Sequence, residues 1–563
     1  MWDQLLKAIE DKDEPEALKI IAQMIPEDFD RDYSKLKPLQ SPIHLASSLG
    51  LIVVVQALIN IDSELVHKTD DMGNIPLHYA ADIAVAQMLL DAGSSVSAKN
   101  LNDDTPLHHA AEDGHQEVVE LLINKHHDLV FEVNNQKQTA LHLAVCDGCE
   151  AVVELLINRY PKLVFEVDSF GKTSIYWACF HGYENVVKLL INKYPELVFE
   201  ADSFGRIAIH YAALNGHEAI LNILLADGTD INAIDKDGNT PLHLAACCSH
   251  SNMNADTIND SDYDYTRVIK FLLDCGANLG AANNGGDTPL HLAAKNSNQE
   301  GVKYLITRNA NLEAINELGN TPLNSVACTL GIDKNIQTAI VEILLKNGAN
   351  INHITKEGNS LLHHVVARNC YIPLVKTLLT YGADINITNH MGQKPLDLIG
   401  DHEEQTKTSL EELFATVNIT NQAIQYANSS DTILQVKQEP IKHLDLFIDI
   451  VIRNFDQFNP LSEDGKLFNR LERTTTHAGL SDEDSLQVKN AIQKALFVNK
   501  AKEVIDCEGF PSLQFLAKNN LLIEQFKSTS NKEKDNIQLL YTSGAEDQPQ
   551  LEMTLRGETN DQD

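Results

Sequence analysis

The chain has 563 residues, 43% hydrophobic and 22% charged, with nine cysteines and a formal net charge of -36. That length exceeds what one hydrophobic core organises, so several domains or a long array are expected. The negative charge, with no Lys/Arg block to offset it, excludes nonspecific binding to nucleic acid or to anionic membranes. The cysteines are too sparse for a disulfide scaffold and are expected as reduced thiols. No apolar run reaches the roughly 18 residues of a membrane span, and Met1-Trp2-Asp3-Gln4 lacks a charged-then-apolar signal layout. A soluble, cytoplasmic monomer without membrane insertion is the expectation.

Residues 1–35 read as a helical pair, with Leu5, Leu6, Ala8 and Ile9 on one apolar face and Ala17, Leu18, Ile20 and Ile21 on the other. Asp11-Lys12-Asp13 falls at the turn between them, and the pair suits the polar cap of an array. A stretch read most cleanly at Thr240-Pro241-Leu242-His243-Leu244-Ala245-Ala246 then recurs along the chain. Thr240 suits a helix N-cap and Pro241 the first helical position. Aligned on the His slot, the copies fall at 44, 78, 108, 142, 176, 210, 243, 291, 324, 363 and 397. A second helix repeats as Val118-Val119-Glu120-Leu121-Leu122 and Val152-Val153-Glu154-Leu155-Leu156, among others. Gly228, Gly276, Gly348 and Gly382 follow helices where a left-handed cap is wanted.

This pattern resembles the ankyrin repeat, whose period is about 33 residues. The resemblance covers 36–400 and gives about eleven units, the last truncated. It implies an all-α, right-handed solenoid of helix-turn-helix units joined by hairpin loops, which recognises a protein partner without catalysis in the array. It also implies that the repeated histidine is a hydrogen-bonding strut and not a metal ligand. Departures include Tyr160-Pro161-Lys162-Leu163-Val164-Phe165-Glu166 and its near copy at 194–200, a short His78 unit, and insertions near 247–265 and 328–339. Beyond the array, 401–439 reads as a linker, 440–530 as a small C-terminal helical domain of unknown type, and 531–563 as an acidic disordered tail.

No catalytic, cofactor-binding or metal-ligating set is expected. Cys146-Asp147-Gly148-Cys149 fills an inter-helix turn without a second ligand pair. Asp260-Ser261-Asp262-Tyr263-Asp264 starts like a calcium loop but has Tyr265 and Phe271 where Gly and Glu are needed. His477 and Cys507 lack any flanking protease motif. The competing class is an enzyme in 440–530 that modifies a substrate held by the array, and whether the chain is an enzyme stays open.

The resemblance places binding on a concave face lined by the hairpin tips and the exposed ends of the first helices. In the Tyr176 unit these are Ser169, Phe170, Lys172, Phe180 and His181; in the His210 unit they are Ser203, Phe204, Arg206, Leu214 and Asn215. An apolar cluster flanked by Lys172 and Arg206 is the expected partner site. Trp177 and Tyr211 occupy a slot usually filled by Leu and are assigned to the core. Asn232, Asn352 and Asn386, each following Leu-Leu, resemble the sites that asparaginyl hydroxylases modify in ankyrin proteins. Repeat drift and the acidic tail resemble ankyrin-repeat effectors exported by type IV secretion from intracellular bacteria such as Legionella and Coxiella. That likeness implies export into a host cytoplasm; the third reading is an endogenous cytosolic scaffold.

Overall fold

The computed structural model describes residues 1–25, 28, 41–248, 265–327, 333–368, 371–399, 404–428, 441–455 and parts of 474–491. Among them the secondary structure is helical, with no strand and one isolated bridge between Ile354 and Ser360. The chain divides into two compact units, Met1–Phe414 and Ala415–Asp563.

The first unit opens with helices Trp2–Glu10 and Glu14–Ile21, the second capped by Asp13, whose carboxylate accepts from Glu16 N at 3.1 Å. Trp2, Leu5, Ile9, Ala17 and Ile21 are buried, and the pair packs on the helices of the first repeat. Repeating pairs follow. In each, a residue in extended conformation, usually Thr, leads into a short first helix such as Pro106–Glu112, Ala140–Cys146, Ser174–His181 or Ala208–Leu214. Second helices such as Gln116–Lys125, Glu150–Arg159, Glu184–Lys193 and Glu218–Ala226 form a row of their own. Paired apolar residues, Val152 and Val153 then Leu156 and Ile157, bury their side chains between neighbours in that row. Small residues such as Ala144 and Ala178 let the first helices approach closely. The expected left-handed caps are present at Gly228, Gly276, Gly348 and Gly382.

The repeated histidines join the units. Nδ1 of His78, His108, His142, His210, His243, His291 and His363 accepts from the backbone N–H three residues earlier at 3.1–3.2 Å. A backbone N–H is a fixed donor, so the proton sits on Nε2. With His44 included, Nε2 meets a carbonyl of the following unit at 2.9–3.2 Å: Asn74, Asp104, Gln138, Lys172, Asn239, Asp287, Asn320 and Gln393 in turn. Each neutral ring therefore staples a helix start to the next hairpin. In the Tyr176 unit the phenol reaches the Glu200 carbonyl instead.

The hairpin tips form a second connection. One backbone bond per unit runs along them, including Ser169 N to Gln136 O, Ser203 N to Phe170 O and Lys236 N to Phe204 O, at 2.8–3.0 Å. Gly171 has φ of 75°, and a Cβ there would sit 3.0 Å from Ser203 N, so the close approach of successive tips requires glycine.

One sequence expectation changes. Where a linker was expected, Glu404–Asn428 is a 25-residue helix. Leu410, Leu413, Phe414 and Val417 supply its buried face, and the burial of Thr416 and Thr420 hid that face among polar residues. Thr420 remains satisfied because its hydroxyl donates to the Thr416 carbonyl at 2.7 Å. The expected helix from Leu444 runs Leu444–Phe455. In the second unit Ala423, Phe447, Val451, Ala478 and Val488 form a small core, with Ser481 capping the helical residues 482–488. The calcium-like stretch 260–264, the centres of both expected insertions, Cys507 and the acidic tail lie outside the described residues.

Candidate protein-binding surface

The tip of the Tyr176 unit is shaped by Asp168. Its buried carboxylate accepts from Phe170 N at 2.8 Å and Lys172 N at 3.0 Å, and receives Trp177 Nε1 at 3.2 Å. This turn leaves Phe170 50% exposed. Asp202 repeats the geometry one unit later and leaves Phe204 49% exposed.

The expected residues fall into two groups. Phe170, Lys172, Phe180 and His181 are brought together around Trp177. Its ring centroid lies 5.9 Å from Phe180 and 6.1 Å from His181, which in turn stacks near Tyr183 at 5.8 Å. Phe204, Arg206 and Leu214 continue the strip in the next unit, where Leu214 is half-buried.

The two cations do not form the expected basic rim. Lys172 turns inward, its ammonium 4.7 Å from the centroids of both Trp177 and Tyr211 and 5.7 Å from Phe170. Burial lowers its pKa against the opposing pull of Asp168 and Asp202. Arg206 lies on the buried Asp235, with Nε 3.2 Å from Oδ2 and its guanidinium carbon 5.8 Å from the Phe204 ring centroid. A cation between aromatic faces is worth on the order of 1 kcal/mol, enough to hold the lysine in place. The exposed surface is therefore aromatic.

Trp177 also departs from expectation, being half-buried where a core position was expected, whereas Tyr211 is buried. The slot after the strut residue also carries rings at Tyr79 and His109, with Leu143 between them and Trp177, and these two were the overlooked part of the sequence signal. Toward the N-terminus the same strip is acidic, with Asp103, Glu112, Asp113 and Asp147. Burial, with Asp147, Asp113 and Asp104 nearby, pushes the Glu112 carboxyl up to about 7.

The asparagines expected as modification sites lie in the loops after the second helices. Asn232 Oδ1 accepts from Asn278 N at 2.8 Å, and Asn352 Oδ1 from Asp384 N at 2.8 Å, so both amides bridge adjacent units. Asn386 is exposed, and its Oδ1 receives Lys394 Nζ at 3.1 Å.

The Cys146–Cys149 pair offers no activated thiol. Burial pushes Cys146 up to about 12 and also raises Cys149, whose Sγ donates to the Glu112 carbonyl at 3.2 Å. A reactive cysteine needs the opposite shift. Among the described residues no cluster of three or more His, Cys, Asp or Glu is placed to hold a metal, and no helix is long and apolar enough to cross a membrane.

Comparison with known proteins agrees with this architecture. A family described as ankyrin repeats (3 copies) matches residues 82–165, 134–201, 176–255, 261–353 and 313–389, and a single ankyrin repeat matches 237–284. Among curated proteins, the chain is 41% identical over 69 residues to a putative ankyrin repeat protein, FPV031, of fowlpox virus, covering 12% of this chain and 20% of that protein. It is 36% identical over 58 residues to protein fem-1 homolog C of Danio rerio, covering 10% and 9%. It is 32% identical over 56 residues to synphilin-1 of Mus musculus, covering 10% and 6%. The matched segments span a fifth or less of each relative's length. Solved structures of the ankyrin repeat domains of Bcl-3 and human ASB11 are each 26% identical with a TM-score of 0.34, covering 43% and 44% of this chain and 99% of theirs. With the repeat family matching more than half of its residues, the chain belongs to the ankyrin-repeat proteins.

Proposed function

We propose that the chain is a recognition scaffold that holds a partner protein on the hairpin tips and first-helix ends of the Tyr176 and His210 units. The observation that carries this reading is the group of Phe170, Phe180, His181 and Phe204, exposed around the half-buried Trp177 and beside an acidic strip. Exposed apolar clusters with a charged rim are the usual anchors of protein interfaces. Because Lys172 and Arg206 are engaged internally, the partner supplies apolar or aromatic side chains here rather than carboxylates. The test is affinity capture with the full chain, wild type against Phe170→Ser with Phe204→Ser. Both phenylalanines are half-exposed, so the fold is expected to hold while the captured partner drops at least tenfold. An intact fold that binds every partner unchanged would sink the proposal.

The finer reading, a bacterial effector exported into a host cell, is supported by Glu546, Asp547, Glu552 and Glu558 standing among Leu551, Met553 and Leu555. Its test is translocation of a reporter fusion with and without residues 541–563; equal transfer removes it.

A further inference from the structure

The hairpin tips carry a side-chain ladder that changes character at one place. The residue after the left-handed tip position is Asn, Asp or Gln in most units. It bonds the loop of the next unit: Asn100 Nδ2 donates to Asn74 Oδ1 and Asn134 Nδ2 to Asp104 Oδ1, both at 2.9 Å, and Asn283 Nδ2 donates to Asn239 Oδ1 at 2.8 Å. In the Tyr176 and His210 units the slot holds Lys172 and Arg206 instead. Arg206 keeps the ladder by donating to Asp235. Lys172 leaves it, because its counterpart Asp202 is already filled. Oδ1 of Asp202 accepts from Phe204 N at 2.9 Å and Arg206 N at 2.8 Å, and Oδ2 accepts the Tyr211 hydroxyl.

The lysine enters a box that two units build together. Its ammonium lies 4.7 Å from the ring centroids of Trp177 and Tyr211 and 5.7 Å from that of Phe170. All three distances fall within the roughly 6 Å over which a ring attracts a cation. A buried carboxylate nine residues earlier holds each of the two nearer rings: Asp168 accepts Trp177 Nε1 at 3.2 Å, and Asp202 accepts the Tyr211 hydroxyl. The same two carboxylates favour positive charge between the rings. Tyr79 stands on Asp70 in this way too, but Asn74 Nδ2 donates to its hydroxyl at 2.7 Å, and among the described residues no cation lies over its ring.

We propose that Phe170, Trp177 and Tyr211, backed by Asp168 and Asp202, form an alkylammonium site whose built-in ligand is Lys172, and that filling this site sets the recognition surface. Lys172 is then a positioning residue. Its ammonium draws rings from adjacent units onto one centre, and Trp177 passes that order on to Phe180 and His181, whose rings lie 5.9 and 6.1 Å from it. A neutral side chain of equal length fills the space without the attraction, so the half-buried Trp177 loosens and the exposed rings lose their fixed spacing. The inference rests on recognition through the Phe170–Phe204 strip, but the state of the box is read from Trp177 without any partner.

The test uses the full chain carrying Trp2→Phe, which leaves Trp177 as its one tryptophan. Lys172→Met is expected to raise acrylamide quenching of Trp177 and to weaken capture of the wild-type partner roughly tenfold; Lys172→Arg is expected to keep both near wild type. Lys172→Ala is expected to lose both and to regain them when n-butylammonium chloride is added, whereas sodium chloride at equal ionic strength restores neither. In the unsubstituted chain, ring current is expected to move the Lys172 ε-methylene protons upfield of the other lysines, a reading that needs no variant to fold. Ordinary shifts there, a folded Lys172→Met with Trp177 equally shielded, or n-butylammonium acting no better than sodium would overturn the alkylammonium site. A Trp177 response with unchanged capture would overturn its part in recognition. Unchanged capture by Phe170→Ser with Phe204→Ser would sink the binding surface itself and leave the Trp177 result standing.

Discussion

Lowering the pH from 7 to 5 is expected to cost the repeat array several kcal/mol of stability. The strut rings of His44, His78, His108, His142, His210, His243, His291 and His363 are all held below the ordinary histidine value, chiefly by burial. His78 is taken down to about 4, by burial first and by the neighbouring His109 second. Geometry reinforces this, because Nδ1 already accepts a backbone N–H and cannot take a proton without losing it. A histidine whose folded pKa is depressed contributes stability that is fully present above its unfolded value of about 6.5. That contribution is lost as pH falls toward the folded value, at about 1.4 kcal/mol per pH unit for each group. For His78 alone the loss at pH 5 is on the order of 2 kcal/mol. Glu112 works in the opposite sense, since its raised carboxyl gains protons between about 7 and 4.5, but it is one group against eight. Urea midpoints at pH 7.5, 6 and 5 measure the effect. A midpoint that stays level over this range would show that the rings are not neutral struts.

His142→Ala is expected to cost on the order of 3–5 kcal/mol and to divide one unfolding transition into two. The substitution leaves the Thr139 N–H without its acceptor and the Lys172 carbonyl without the donor at 3.2 Å, in a site where the ring is fully buried. Each orphaned group costs about 1–3 kcal/mol, and the lost ring volume adds a cavity. In a stacked array each unit is held by its neighbours, so the damage falls on the interface between the His142 and Tyr176 units. That interface carries the tip of Phe170, so partner binding is expected to weaken as well. Urea unfolding followed by Trp177 fluorescence and by circular dichroism should give separated midpoints. Coincident, unshifted curves would contradict the strut role.

The repeat and its stitching were legible in the sequence because each unit needs the same few residues for the same reasons. Thr and Pro start the helix, His staples it to the next hairpin, and Val-Val-x-Leu-Leu fills the second row. The strip around Phe170 was legible by register, since Asp168 and Asp202 repeat one turn. The inward course of Lys172 was not. It depends on Trp177 and Tyr211 converging from adjacent units, which no single repeat records. The helix Glu404–Asn428 escaped for another reason: Thr416 and Thr420 are buried, the Thr420 hydroxyl donating to the Thr416 carbonyl, so the apolar spacing looked broken. Asp260–Asp264 and the residues after 491 belong to the part of the chain outside the described residues.

The most direct measurement is amide hydrogen exchange of the full chain with and without a captured partner. Slowed exchange is predicted at residues 168–182 and 202–216, where the tips and first-helix ends of the Tyr176 and His210 units lie. Protection that bypasses both segments, with the partner still bound, would contradict recognition through the aromatic strip.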